Sequence, residues 1–144
     1  MPALFTIGTT GRHDADFIAV LKANQVDAII DIRLRNEGRY YKFASGKHIK
    51  ALVEAHGIAY RHDLRFAPTA EMLHQYKGDH DWLAYEPAYR ALITERDMLR
   101  IWLETASGFQ RPCLLCAEKT PEHCHRRLLG EALLGGKAGG LGHL

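Results

Sequence analysis

Short apolar segments alternate with amphipathic ones along this chain. Four of the apolar segments have the length and composition of buried strands: residues 4–7, 26–32, 58–60 and 112–116. Apolar positions recur at helical spacing in five other segments: after Asp14, over 47–56, around Met72, over 87–105 and over 121–134. This alternation predicts an α/β fold: a single three-layer domain with a mostly parallel sheet of about four to five strands and helices on both faces.

The end of the chain departs from this alternation. Thr120 and Pro121 have the residue types of a helix cap and a first helical position, so we predict that the last helix begins at Pro121. The Gly-rich segment that follows, residues 135–144, predicts a flexible tail without regular structure. The folded domain is therefore expected to span residues 1–134.

Composition narrows the class of protein. Of the 144 residues, 47% are hydrophobic and 25% are charged, which is typical of a globular protein and excludes a disordered chain or a coiled coil. The net charge of +2 gives no reason to expect a strongly basic nucleic-acid binder. Three cysteines suggest no disulfide framework, and the sequence shows neither a signal peptide nor an apolar run of about 18 residues. We expect a cytoplasmic protein that does not bind a membrane.

In an open α/β sheet, ligands bind beyond the carboxyl ends of the strands, and the residues there are distinctive in this chain. The first strand is followed by an anion-binding candidate whose glycines, hydroxyls and guanidinium suit a phosphate: Gly8, Thr9, Thr10, Gly11 and Arg12. The alternative is an ordinary turn between a strand and a helix, since the loop matches no nucleotide-binding motif.

The second strand ends in a carboxylate and a guanidinium. Asp31 interrupts a buried apolar run, so it needs a partner, and Arg33 and Arg12 are the candidates. Either Asp31 takes part in catalysis or ligand binding, or it forms a structural ion pair. Arg33 is also a ligand-binding candidate, expected to hold the anion together with Arg12 and the loop after the first strand. Residues 39–43 then interleave basic and aromatic side chains, which favours stacking on a base and contact with phosphate, and Tyr41 is the ligand-binding candidate among them.

The densest cluster follows the fourth strand. Cys116 lies at the carboxyl end of that strand, Glu118 lies in the next turn, and helical spacing points Cys124 and His125 inward toward both. Lys119 and Arg126 are ligand-binding candidates in the same segment, and the helix N-terminus and Arg126 would stabilise a thiolate.

Four interpretations of this cluster stay open. The cysteines and the histidine can be structural. Cys116 and His125 can supply nucleophilic chemistry, with Glu118 as an acid or base. Cys116, Cys124 and His125 can bind zinc or iron, although the spacing of the two cysteines is not that of a zinc finger or a ferredoxin. The two cysteines can also form a redox pair, although they do not form a C-x-x-C motif.

The same segment carries a family resemblance. Cys116-Ala117-Glu118-Lys119, Pro121 and Cys124-His125-Arg126 resemble the motif of domain-of-unknown-function family 488. Three shorter matches follow in order along the chain: Thr6-Ile7-Gly8 with Arg12, Asp31-Ile32-Arg33, and Gly57-Ile58-Ala59-Tyr60. The sequence departs from the family pattern at Thr9, at Leu34-Arg35-Asn36 and at Leu64-Arg65-Phe66, on the expected substrate side. The resemblance implies a Rossmann-like α/β domain and names no reaction.

These observations lead to one principal hypothesis about function. The protein is a hydrolase or transferase that acts on a phosphate-bearing, nucleotide-like small molecule at the carboxyl ends of the strands. Cys116, Glu118, His125 and Asp31 are the catalytic candidates. The first alternative is a nucleic-acid-binding module, and the second is a metal-binding or redox protein that uses Cys116, Cys124 and His125. The sequence indicates no particular cofactor and no oligomeric state.

Overall fold

The computed structural model describes residues 4–38, 42–136 and 140–144. These residues form an α/β domain around one parallel sheet, which confirms the predicted fold class. The sheet has five strands: β1 (Leu4–Gly8), β2 (Ala28–Asp31), β3 (Ala59–His62), β4 (Pro112–Cys116) and β5 (Leu141–His143). Their order across the sheet is β3-β2-β4-β1-β5, and every neighbouring pair is parallel.

Helices pack on both faces of the sheet. They are α1 (Asp14–Ala23), α2 (Gly46–Glu54), α3 (Ala70–Asp79), α4 (Trp82–Glu95), α5 (Met98–Thr105) and α6 (His125–Leu133). Alternate side chains of the strands enter two separate cores: α1 and α2 cover one face of the sheet, while α4, α5 and α6 cover the other. The near-continuous apolar strands follow from this arrangement, since neither face of the sheet meets water.

The strand order brings three carboxyl ends together. Strand β4 lies between β1 and β2, with Cys116 in register with Gly8 and Leu115 in register with Asp31. The chain moves outward from β1 to β2 and β3, then returns to insert β4. A crevice is expected where a sheet reverses its strand order in this way.

The last helix begins later than predicted. Residues 121–124 form a turn in which the Cys124 amide donates to the Pro121 carbonyl (3.2 Å), and α6 starts at His125. Cys124 is the N-cap in an extended conformation, which interrupts any helix from Pro121. Arg126 donates to the Glu118 carbonyl and so ties the preceding loop to the first turn of α6.

The helix predicted over residues 87–105 is two helices. Helix α4 begins five residues before Pro87, because the Asp81 side chain accepts a hydrogen bond from the Ala84 amide and caps it. Asp97 then adopts a left-handed conformation, with φ of 54°, and separates α4 from α5.

The prediction that residues 135–144 have no regular structure is wrong for residues 141–143, which form strand β5. Strand β5 pairs with the outer edge of β1, and the Leu144 amide donates to the Thr6 carbonyl (2.7 Å). Leu141 packs so closely on α6 that a Cβ at Gly130 would lie 2.8 Å from its Cδ1 atom. The Gly-rich composition gave no local sign of this strand, because the strand is stabilised by pairing with β1, which is distant in sequence.

Among the described residues, no helix combines the length and the apolar composition that crossing a membrane requires.

Candidate active site

Three buried side chains meet at the carboxyl end of β4. The Sγ atoms of Cys116 and Cys124 and a ring nitrogen of His125 all lie within 4.8 Å of one another. Cys116 ends β4, Cys124 caps α6 and His125 is the first residue of that helix. The sequence analysis expected these three residues to lie close together, and the structure places them so.

Cys116 and His125 lie in contact at the carboxyl end of β4. The Cys116 Sγ atom lies 3.6 Å from Nδ1 and 3.8 Å from Nε2 of His125. Nε2 also lies 3.0 Å from the Ile32 carbonyl oxygen. Because a carbonyl only accepts, the tautomer that satisfies this contact carries its proton on Nε2 and leaves Nδ1 to face the sulfur. A third group therefore orients the base, as activated nucleophiles require.

The surroundings of Cys116 favour its thiolate. A hydrogen bond from the Cys124 thiol lowers the pKa of Cys116; burial opposes this, and the Ala117 and Glu118 amides and the Arg126 guanidinium add to the lowering. Burial and the neighbouring Cys116 sulfur raise the pKa of Cys124 well above its usual value. These effects favour the thiolate at Cys116 and the protonated thiol at Cys124.

Arg126 is a buried charge beside this pair. It is only 1% exposed, and its guanidinium donates to the Thr6 hydroxyl (3.1 Å) and to the Glu118 carbonyl. Its Nη1 atom also lies 3.8 Å from the Cys124 Sγ atom. Within residues 4–38, 42–136 and 140–144, no carboxylate forms an ion pair with it. A buried cation is costly without a compensating charge, and a thiolate at the cysteine pair supplies one. Arg126 therefore lies against the cysteines, shielded from solvent, and its predicted role in ligand binding stays a prediction.

Asp31 holds the backbone that orients His125. Its carboxylate accepts two hydrogen bonds from the Arg33 guanidinium (2.9 and 2.8 Å), and Tyr60 and Asn36 donate to it as well. Although burial would raise the pKa of Asp31, its bonds to Arg33, Tyr60 and Asn36 keep that pKa below the ordinary value. These contacts favour the structural ion pair over an acid–base role. The pair flanks Ile32, whose carbonyl contacts His125.

The loop after β1 is hydrogen-bonded to residues 116 and 117, at the carboxyl end of β4. The Thr9 and Thr10 amides donate to the carbonyls of residues 116 and 117 (3.0 and 3.1 Å). At Gly8, a Cβ would lie 1.7 Å from the Glu118 carbonyl oxygen, so only glycine permits this approach. Arg12 donates to the Leu144 carbonyl (2.7 Å) instead of pairing with Asp31. The Thr9 and Thr10 amides and one nitrogen of the Arg12 guanidinium thus have partners within the protein, and anion binding by this loop stays a prediction.

A pocket of about 130 Å³ opens onto the cysteine–histidine centre. Its basic members include Arg33, Arg35 and Lys77, and Tyr76 and Tyr85 supply aromatic faces. The complete lining is Arg33, Leu34, Arg35, Pro68, Leu73, Tyr76, Lys77, Tyr85, Cys116, Ala117, Glu118, His123, Cys124 and His125. The sequence-predicted candidates Cys116, Glu118, His125 and Arg33 are thus brought together here.

Other sequence-predicted candidates lie elsewhere. Lys119 is exposed and is not among the lining residues. Arg39, Tyr40 and Tyr41 fall outside the described residues, so the role predicted for Tyr41 stays a prediction. Phe43, from the same predicted stacking segment, packs edge-on against the buried Phe17 ring at 5.5 Å and so contributes to the core.

The two tyrosines that line the pocket, Tyr76 and Tyr85, are not among the site residues predicted from the sequence. Tyr76 lies on α3, and Tyr85 lies in the first turns of α4, before Pro87. Interpreting Pro87 as the first helical position removed Tyr85 from the predicted helix. The signal that was overlooked is Asp81, a preferred capping residue just before the apolar pair Trp82 and Leu83.

Comparison with known proteins identifies the family to which most of this chain is similar. A family model described as "Domain of unknown function DUF488" matches residues 14–133. The chain belongs to this family. The match covers most of the chain, including Asp31, Arg33 and the cluster from Cys116 to Arg126; the loop after β1 precedes it. No curated protein and no solved structure matches the chain. DUF488 membership confirms the predicted family and assigns no reaction.

Proposed function

We propose that this DUF488 protein is a hydrolase or transferase that forms a covalent intermediate on Cys116, with His125 as its acid and base. The observation that carries the proposal is the 3.6 Å contact between Cys116 Sγ and His125 Nδ1 at the base of the pocket, with the Ile32 carbonyl orienting the imidazole. A positioned nucleophile, base and orienting group are the parts of a thiol-dependent transfer enzyme.

The reaction would proceed in two steps. In the first, the Cys116 sulfur forms a bond to the electrophilic phosphorus or carbon of the substrate, and the bond to the leaving group breaks. His125, holding the thiol proton, delivers it to the leaving group. In the second, His125 takes a proton from water or from an acceptor hydroxyl, whose oxygen displaces the sulfur and restores the thiolate–imidazolium pair. Glu118 lines the pocket and is the candidate to orient that second nucleophile.

The pocket favours a small anionic substrate with an aromatic or apolar part. Arg35 and Lys77 supply positive charge, because the guanidinium of Arg33 already donates to Asp31 and to the Ala44 carbonyl. Tyr76 and Tyr85 supply faces on which a base can stack. We propose a phosphate-bearing, nucleotide-like substrate whose reacting group enters the pocket of about 130 Å³ while the remainder lies at its mouth.

The proposal is tested by trapping the intermediate. Reduced protein is mixed with panels of nucleotides, phosphate monoesters and activated esters, quenched in acid, and its intact mass measured. We expect an adduct that maps to Cys116 for at least one substrate class. The Cys113→Ser variant is the matched control, since Cys113 is fully buried on the same strand and burial raises its pKa. An adduct on Cys113, or release of product with no sulfur adduct even in rapid-quench samples, would contradict the proposal.

A further inference from the structure

We propose that Cys116, Cys124 and His125 also form a binding site for a thiophilic divalent metal ion, with zinc as the preferred ion, and that the bound ion blocks the thiol chemistry. The metal site follows from the geometry of the three side chains alone. The inhibition rests on the proposed function, because it presumes that Cys116 is the nucleophile.

One pair of donor atoms already has the spacing of a tetrahedral zinc site, and the third donor lies close to both. With Zn–S bonds of about 2.3 Å and Zn–N bonds of about 2.0–2.1 Å, a sulfur and a nitrogen on one zinc lie about 3.6 Å apart. Cys116 Sγ and His125 Nδ1 are separated by 3.6 Å, and Cys124 Sγ lies within 4.8 Å of both. All three residues are buried, so a bound ion would lie inside the protein.

The groups around the donors match those that support metal ligands. His125 contacts the Ile32 carbonyl through Nε2, which leaves Nδ1 available as the ligand atom. A ligating histidine nearly always has such a partner on its second nitrogen. The Arg126 guanidinium lies 3.8 Å from Cys124 Sγ, where it would donate to a coordinated thiolate.

The donor set also selects the metal. Two sulfurs and an imidazole suit zinc and other thiophilic ions, whereas magnesium and calcium prefer oxygen ligands. Two thiolates neutralise a divalent ion, so the nearby Arg126 does not oppose its binding through net charge. Three protein ligands leave a fourth position that water or a substrate oxygen can take, and all three ligands line the same pocket as Tyr76 and Tyr85.

Metal binding and nucleophilic attack use the same atoms. A bound ion would engage the sulfur lone pair of Cys116 and the Nδ1 lone pair of His125. The thiolate is then held by the metal, and the imidazole has no site for the proton. Zinc is therefore expected to inhibit the protein reversibly.

The test uses the reduced full chain after treatment with a chelator. We expect Co²⁺ to bind at one equivalent with thiolate-to-cobalt charge transfer and the d–d absorption of a tetrahedral site, and Zn²⁺ to displace it. Cys124→Ser should weaken Zn²⁺ binding at least 100-fold in competition with a chelating dye, while Cys113→Ser binds as the wild type does. One equivalent of Zn²⁺ should also protect Cys116 from iodoacetamide, and chelation should restore labelling.

The outcomes separate the two proposals. If Cys116 of the metal-free protein reacts readily but neither cobalt absorption nor zinc protection is seen, the metal site is wrong and the thiol enzyme stands. Equal zinc affinity of Cys124→Ser and the wild type also overturns the site. If cobalt gives the tetrahedral spectrum but Cys116 of the metal-free protein is inert, the thiol enzyme is wrong and the metal site stands. The protection assay needs only wild-type protein, so it decides the question even if Cys124→Ser does not fold.

Discussion

Replacing Cys116 by serine is expected to lower turnover of any substrate of this protein by about 1000-fold or more, because a serine hydroxyl stays protonated beside His125 and is a far weaker nucleophile. His125→Ala should cause a loss of similar size, since nucleophile and base act as a unit. The measurement is kcat on whichever substrate gives the trapped adduct.

The control for this prediction lies on the same strand. Cys113→Ser changes a buried thiol that faces the other core and should leave kcat within a few-fold of the wild type. The double variant Cys116→Ser/His125→Ala should be scarcely slower than either single variant. Full activity of Cys116→Ser, with its fold confirmed by circular dichroism, would remove Cys116 from the mechanism.

Replacing Asp31 by alanine is expected to lower the free energy of unfolding by about 3–5 kcal/mol at neutral pH, because it leaves the buried Arg33 guanidinium without its counter-charge. The hydrogen bonds from Tyr60 and Asn36 are lost with it. Urea unfolding measures the change. Glu54→Ala removes an exposed pair with Lys50 and should cost less than about 1 kcal/mol.

The effect of Asp31 should depend on pH. The pKa of Asp31 is lower in the folded protein than its ordinary value of 3.8, so its ionised form stabilises the fold above that value. This contribution is lost as the pH falls through the folded-state pKa, and the difference between the wild type and Asp31→Ala should shrink in that acid range. A difference below about 1 kcal/mol at neutral pH would show that the pair does not hold this edge of the sheet.

The parts of the fold that the sequence predicted well are those determined by local pattern. Strand β4 was placed at its observed bounds, since an apolar run begins at a proline and ends at a polar turn. The approach of His125 to Cys116 was expected from the strand end and the helical spacing, whereas Cys124 reaches the same place as the N-cap before α6. The family motif added support without assigning a role to any of these residues.

The errors arose where distant contacts decide the structure. The first turn of α6 is tied to the preceding loop by the bond from Arg126 to the Glu118 carbonyl, and β5 exists because β1 offers an open edge. The Thr9 and Thr10 amides donate to the carbonyls of residues 116 and 117, which no local pattern reveals; anion binding by this loop stays a prediction. The tyrosines of the pocket come from the long connection between β3 and β4, so only the folded chain brings them to the centre.

The most direct test of the cysteine–histidine centre is the pH dependence of Cys116 alkylation in reduced, metal-free protein. The rate of iodoacetamide labelling at Cys116 is followed by peptide mass spectrometry across a pH series, beside His125→Ala. We expect rapid labelling of the wild type to persist below the pH at which an ordinary thiol, with a pKa near 9.0, stops reacting. The lower pKa keeps Cys116 ionised there. Labelling that rises only above pH 9, and equally in His125→Ala, would contradict an activated thiolate.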